Sequence, residues 1–283
     1  MSPEETAAFA HCEALVREHD RDRYFAALFA PADKRPYLFA LYAFSHEVAR
    51  VRESVSAPLP GEIRLQWWRD ALDGQGHGEV AANPVAAALL ATVVRFRLPR
   101  EALTALVDAR VFDLYDDPMP DVNDLEGYCG ETSSVLIRLA SLVLADGEDP
   151  GFAAAAGHAG VAYALAGLLR AFAWHAARGQ VFVPSDVLAR HGVSREIVTA
   201  GQGGPGVNAA LAELRTLARR HHREAFETPI PATIAPAFLP AVLVPAYLDL
   251  MDRRDYDPFR TAVELAPWRR QWLLWRGAKR ITR

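Results

Sequence analysis

The sequence predicts an all-α bundle. Ala and Leu dominate its apolar residues, β-branched runs are short, and strand-like alternation is scarce. Apolar residues instead recur at helical spacing, as Leu38, Leu41, Tyr42, Val48 and Val51 do. Proline, glycine and short polar caps cut the chain into segments of helix length joined by short loops.

Ser2, Pro3, Glu4 and Glu5 supply an N-cap, a proline at N1 and an acidic first turn, so the first helix runs to about Asp20. Tyr24 to Phe29 is a short aromatic helix or turn before Pro31. A long helix is expected from Ala32 and Asp33 to about Val55, then a break at 57–61 where prolines and a glycine cluster. Glu62 to Leu72 is the next helix, followed by a loop through Gly74, Gly76 and Gly78. Asn83-Pro84 opens a helix to about Phe96, and Pro99 another to about Tyr115. A turn at 116–120 precedes Asp121, which caps a long helix to Leu144. Asp149-Pro150 starts a helix ending near Arg178 and Gly179. Residues 181–184 are extended, Ser185 starts a short helix and Gly192 closes it. The glycine-rich stretch 201–206 follows no strand and precedes no Lys-Ser/Thr pair, so it is an interhelix loop, not a phosphate loop. Val207 to Phe226 is amphipathic. Pro229 to Met251 is an apolar helix made irregular by Pro236, Pro240 and Pro245. The last helix is expected from about Phe259 to Ala278. No fixed repeat divides the chain, and residues 1–283 read as one domain with a basic, tryptophan-rich C-terminal helix at about 259–283.

At 51% hydrophobic and 23% charged, the 283 residues suit a globular protein with a sizeable core. A net charge of -4 argues against a general nucleic-acid binder. Cys12 and Cys129 sit in apolar helical contexts and read as reduced, buried thiols. The acidic N-terminus is unlike a signal peptide, and no apolar run reaches the roughly 18 residues of a membrane span. A cytoplasmic protein is expected, with peripheral contact at the inner face of a membrane. The contact would come from the segment 267–283, which holds six basic residues and no acidic one. Trp268, Trp272 and Trp275 share one helical face there, with Arg269, Arg270 and Arg276 around it. The alternative is that the tryptophans pack on the bundle and the arginines snorkel.

Several strings carry a family resemblance. DRYFAALFAPADKRPYLFALYAF, IRLQWWRDAL, LVDARVFDL, DLEGYCGETSSVL, HAGVAYALAGLLRAFAWHAARGQVFVPSDVL and RRDYDPF resemble, in order and spacing, segments of squalene and phytoene synthases. The resemblance spans roughly Tyr24 to Trp275. It implies an all-α isoprenoid-synthase fold with a central cavity. It also implies two facing carboxylate clusters that hold magnesium against a departing diphosphate. Here the first cluster reads Ala49, Arg50 and Glu53, and the second reads Arg170, Ala171, Phe172, Ala173, Trp174 and His175. Of these, Glu53 alone is a carboxylate, so no catalytic group and no metal or other cofactor are expected. Magnesium would enter only if the chain were a divergent prenyl transferase.

ARVRESVS, a short gap and IRLQWWRDAL resemble the members of this family that act as assembly factors for respiratory complex I. That resemblance implies a non-catalytic helper, with a complex I subunit or assembly intermediate as partner. A divergent prenyl transferase and an isoprenoid or lipid carrier are the alternatives. Tyr42, His46, Arg50, Asp108, Asp113, Tyr163, Arg170 and Tyr247 are the candidate ligand-binding residues. Arg50, Arg52 and Arg170 would either bind anions in place of metal or pair along their helices. His221 and His222 are adjacent in sequence and read as a solvated basic face.

Overall fold

The computed structural model describes residues 2–76 and 80–283, so Gly78 lies outside the described residues. It is helical throughout, with no strand among the described residues. Three N-terminal helices, α1 (Pro3–His19), α2 (Arg21–Ala27) and α3 (Arg35–Ala49), pack with α5 (Pro84–Phe96). Ser2 caps α1, as the sequence predicts, and the Glu5 side chain accepts in return from the Ser2 amide. Between them in sequence, α4 (Pro58–Asp73) lies against α6 (Arg100–Ala109). Residues 122–144 form α7 (Val122–Cys129), a π-turn at Gly130–Ser134, and α8 (Val135–Leu144).

The central strut is α9 (Ala153–Arg170), followed by the short α10 (Phe172–Ala176). Short helices α11 (Ser185–Arg190) and α12 (Arg195–Thr199) lead to α13 (Pro205–Ala225), which lies along α9. The proline-rich α14 (Ala235–Val242) and α15 (Val244–Met251) and the terminal α16 (Pro267–Arg280) complete the bundle. Small residues on α9 permit close approach: a Cβ on Gly160 would collide with the backbone of Ser134 in the π-turn. Buried side chains from nearly all these helices form one contiguous core. Cys12 and Cys129 are buried in it, and burial pushes both thiols up to about 12, which leaves them inert.

Several boundaries differ from expectation. The long helix expected to reach Val55 ends at Ala49, and a 3-10 turn follows at Arg52–Ser54. Ser54 Oγ donates to Val51 O at 2.9 Å, and the Ser54 amide is shared between the carbonyls of Arg50 and Val51. This local bonding tightens the last turn. Helix α4 begins at Pro58, not Glu62, because prolines are tolerated in a first turn that lacks intrahelical acceptors. The helix expected from 150 to 179 breaks at Ala171, and the one from 229 to 251 breaks at Leu243, next to prolines that lack amide donors.

The terminal helix starts at Pro267, not Phe259. Asp257 Oδ1 accepts from the Phe259 amide, Arg170 Nε donates to Val263 O at 3.2 Å, and Val263 and Leu265 alternate inward. That period of two holds residues 261–266 extended.

Candidate functional site

The degenerate motif segments meet across a cavity of about 380 Å³. Ala49, Arg52 and Glu53 line one side, Trp174, His175 and Arg178 another, and Arg110, Asp113 and Tyr128 the floor. A second cavity of about 200 Å³ shares Arg110, Tyr128 and Leu168 with the first. It continues past Arg23, Ser133, Tyr163, Arg170 and Tyr247. The breaks described above shape this space. The 3-10 turn presents Arg52 and Glu53 inward, the break at Ala171 redirects Trp174 and His175, and the π-turn delivers Ser133.

Two buried polar knots hold the walls. In the first, Arg110 Nη1 donates to Asp113 Oδ2 at 3.0 Å and to Tyr128 Oη at 2.7 Å. Tyr128 Oη in turn donates to Asp113 Oδ1 at 2.7 Å, and Gln180 donates to the Asp113 carbonyl. Burial pushes the Tyr128 phenol well above its usual range. Burial alone would lower the Arg110 pKa, but Tyr128 and Asp113 raise it above its ordinary value. In the second knot, Asp22 receives the Tyr247 hydroxyl at 2.8 Å and pairs with Arg270 at 2.7 Å and Arg170 at 3.7 Å. Burial raises the Asp22 pKa more than its two arginines lower it.

The cavity is rich in cations. Arg23, Arg52, Arg110, Arg170 and Arg178 line it, against the carboxylates of Glu53 and Asp113. Both carboxylates are engaged, Glu53 by Arg50 at 3.4 Å and Asp113 by the first knot. Arg110 Nε and Ser133 Oγ are buried and have no hydrogen-bond partner. Arg178 stacks on Trp174 with its guanidinium carbon 3.8 Å from the ring centre, and Arg23 lies over Tyr42 and Tyr163. Burial lowers the His175 pKa, so the imidazole at the wall is neutral near pH 7.

Of the residues singled out in the sequence, the structure brings Ala49, Glu53, Asp113, Tyr163, Arg170, Trp174, His175 and Tyr247 to this space. Tyr42 is buried beneath Arg23. His46 and Arg50 face a separate groove with Trp67, Trp68 and Asn83, because the turn after Ala49 rotates Arg50 away. Asp108 points outward to Arg69 at 2.5 Å and does not reach the cavity. Sequence reasoning missed Arg23, Arg110 and Ser133. Arg110 was legible two residues after the Asp108 it overlooks, but only packing reveals which of the two turns inward.

On α16 the structure divides the basic helix. Trp268, Trp272 and Trp275 are 71%, 46% and 52% exposed, so they do not pack on the bundle. Arg276 and Lys279 lie over Trp272 and Trp275. Arg270 is not on that surface. It is buried with Leu274 and Gly277, on the side of α16 that packs against α14 and α2, and pairs there with Asp22 of α2.

The squalene/phytoene synthase family model matches residues 16–276. The chain belongs to the squalene/phytoene synthase family. Its relatives include complex I assembly factor 6 of Rattus norvegicus, 33% identical, with 90% of this chain and 77% of the relative covered. The presqualene diphosphate synthase of Sinorhizobium fredii is 27% identical over 88% of this chain and 89% of its own. A ligand-bound crystal structure of a dehydrosqualene synthase superposes with a TM-score of 0.79 at 19% identity, covering 98% and 97% of the two chains. The fold is therefore the isoprenoid-synthase fold.

Proposed function

We propose that this chain is a non-catalytic member of the family that supports assembly of respiratory complex I, holding an anionic isoprenoid or lipid in its cavity. The carrying observation is the lining of the cavity inside a retained fold: arginines line the space, and its two carboxylates are already engaged. Magnesium requires several oxygen ligands in near-octahedral geometry. Glu53 and Asp113 do not supply them, being engaged by Arg50 and Arg110. Arginine forks instead suit a diphosphate or lipid phosphate. The similarity to assembly factor 6, closer in identity than that to the presqualene diphosphate synthase, supports the same reading.

The exposed tryptophans and cations of α16 fit the headgroup layer of an anionic membrane, where the partner complex is built. No described helix is long and apolar enough to cross a membrane. The test is genetic and enzymatic together. Deleting the gene should lower assembled complex I and NADH:quinone activity, and a variant carrying Glu53→Gln should restore both. Normal complex I in the deletion strain would end this reading. Release of diphosphate from farnesyl or geranylgeranyl diphosphate with Mg²⁺, abolished by Glu53→Gln, would replace it with a prenyl transferase.

A further inference from the structure

The outer face of the α9–α13 pair carries chemistry that the cavity does not use. His158 on α9 and His221 on α13 face one another with their Nδ1 atoms 2.9 Å apart. Glu224, one turn beyond His221, places Oε2 3.1 Å from His158 Nδ1. The three ligand atoms lie within 4.8 Å of one another. His221 is buried, while His158 and Glu224 are about one-third exposed, at 38% and 36%. Far from standing in a solvated basic face, His221 turns inward. His222 points elsewhere, onto Phe226.

Proton accounting decides what this arrangement is for. Glu126 Oε1 lies 2.8 Å from His221 Nε2, and an ionised carboxylate only accepts. His221 therefore donates from Nε2, which frees Nδ1 to offer its lone pair to a metal ion. His158 Nδ1 faces that lone pair and the Glu224 carboxylate at once. One N–H would have to be shared between the two acceptors. A cation at their common centre meets three lone pairs. The outer carboxylate on His221 fixes the ring and its tautomer, the usual support of a metal-bound imidazole.

We propose that His158, His221 and Glu224 bind a first-row divalent transition metal ion, zinc foremost, which clamps α9 to α13. Two imidazoles and one carboxylate suit zinc, cobalt or nickel, whereas magnesium and calcium take all-oxygen sets. Separations of 2.9 and 3.1 Å put donors about 2.0–2.2 Å from one ion at angles of about 90°, so a tetrahedral ion would draw the three side chains apart by a few tenths of an ångström. Exposure of His158 and Glu224 leaves a coordination position open to water. Arg220 does not occupy the centre: it pairs with Glu126 at 3.0 Å and stands 4.0 Å from Glu224. The site is separate from the cavity and does not depend on the proposed function.

The test is titration of the chelator-treated full chain with Zn²⁺ by calorimetry and with Co²⁺ by visible absorption. One equivalent of Zn²⁺ should bind, raise the melting temperature, and be lost to EDTA. Co²⁺ should develop the visible bands of a nitrogen- and oxygen-ligated ion. His158→Ala alters a partly exposed side chain, so it should fold normally by circular dichroism yet lose the stoichiometric site. Glu126→Gln should weaken affinity by about 10- to 100-fold while leaving the ligands in place. Absence of saturable binding, or binding unchanged in both His158→Ala and Glu224→Gln, would overturn the proposal.

Discussion

Asp22 illustrates how one residue can fix a cavity wall. Its carboxylate joins α2 to α9, α15 and α16 through Arg170, Tyr247 and Arg270. Asp22→Ala strands cations in a site from which water is largely excluded, at a cost of about 3–5 kcal/mol, measurable by urea denaturation. Asp22→Asn, which can still accept from Tyr247, should cost less. Buried imidazoles set a second residue-scale expectation. Burial, then Arg280, holds His222 down at about 4, and burial, then His19 and Arg50, does the same to His46. The unfolded chain protonates these rings near an ordinary pKa of about 6.5. Between about 6.5 and about 4 the unfolded state therefore binds more protons, and stability falls as pH falls through that window. Above it both rings are neutral in both states and add no slope. Denaturation midpoints at pH 7.5 and pH 5 should differ, and His222→Gln should narrow the difference.

At the scale of elements, α9 shows what a helix gives up to sit close to its neighbours. Gly160 meets the Ser134 backbone and has no room for a Cβ, while Gly157, one turn earlier, has nothing within 4 Å. Gly160→Ala should destabilise by about 1–3 kcal/mol through overpacking. Gly157→Ala should stabilise by up to about 1 kcal/mol through helix propensity. Thermal melts of the pair separate packing from propensity at nearly the same place. Most elements were legible because caps and prolines mark their starts, as at Ser2, Asn83 and Asp121. The breaks inside helices were not. Ala49, Gly130 and Ala171 carry no proline, and the interruptions there arise from packing and local hydrogen bonds that a 3.6 period cannot reveal. The terminal helix divides similarly: spacing grouped its tryptophans, but Arg270 looked like its basic neighbours until packing buried it. Binding of this helix to vesicles of anionic lipid should weaken when Trp268, Trp272 and Trp275 are changed together to Ser, and should fall with salt. Vesicle flotation measures both.

For the whole molecule, the few carboxylates and the many cations of the cavity must be weighed as one field. The motif residues were readable one at a time, yet the sequence did not disclose that Arg23 and Arg110 converge on the same space as Arg52, Arg170 and Arg178. That convergence comes from α2, α9 and the turns after α3, α6 and α10, which are distant in sequence. Arg23, Arg52, Arg110 and Arg170 already pair with Asp20, Asp116, Asp113 and Asp22, so an anion would be held without a bridging metal by their remaining donors and by Arg178. Farnesyl diphosphate should therefore bind in the presence of EDTA, and added Mg²⁺ should not tighten binding. Arg110→Ala should weaken it by an amount typical of a charge-assisted hydrogen bond, about 1.5–3 kcal/mol or roughly 10- to 150-fold in Kd. Arg110 has a free buried Nε and stands where the two cavities join, so its loss should be felt more than that of Arg178, which is stacked on Trp174 at the outer wall. Calorimetric titration of the two variants orders them. Equal Kd values for Arg110→Ala and the parent, or binding that appears only with Mg²⁺, would place the anion somewhere other than this cavity.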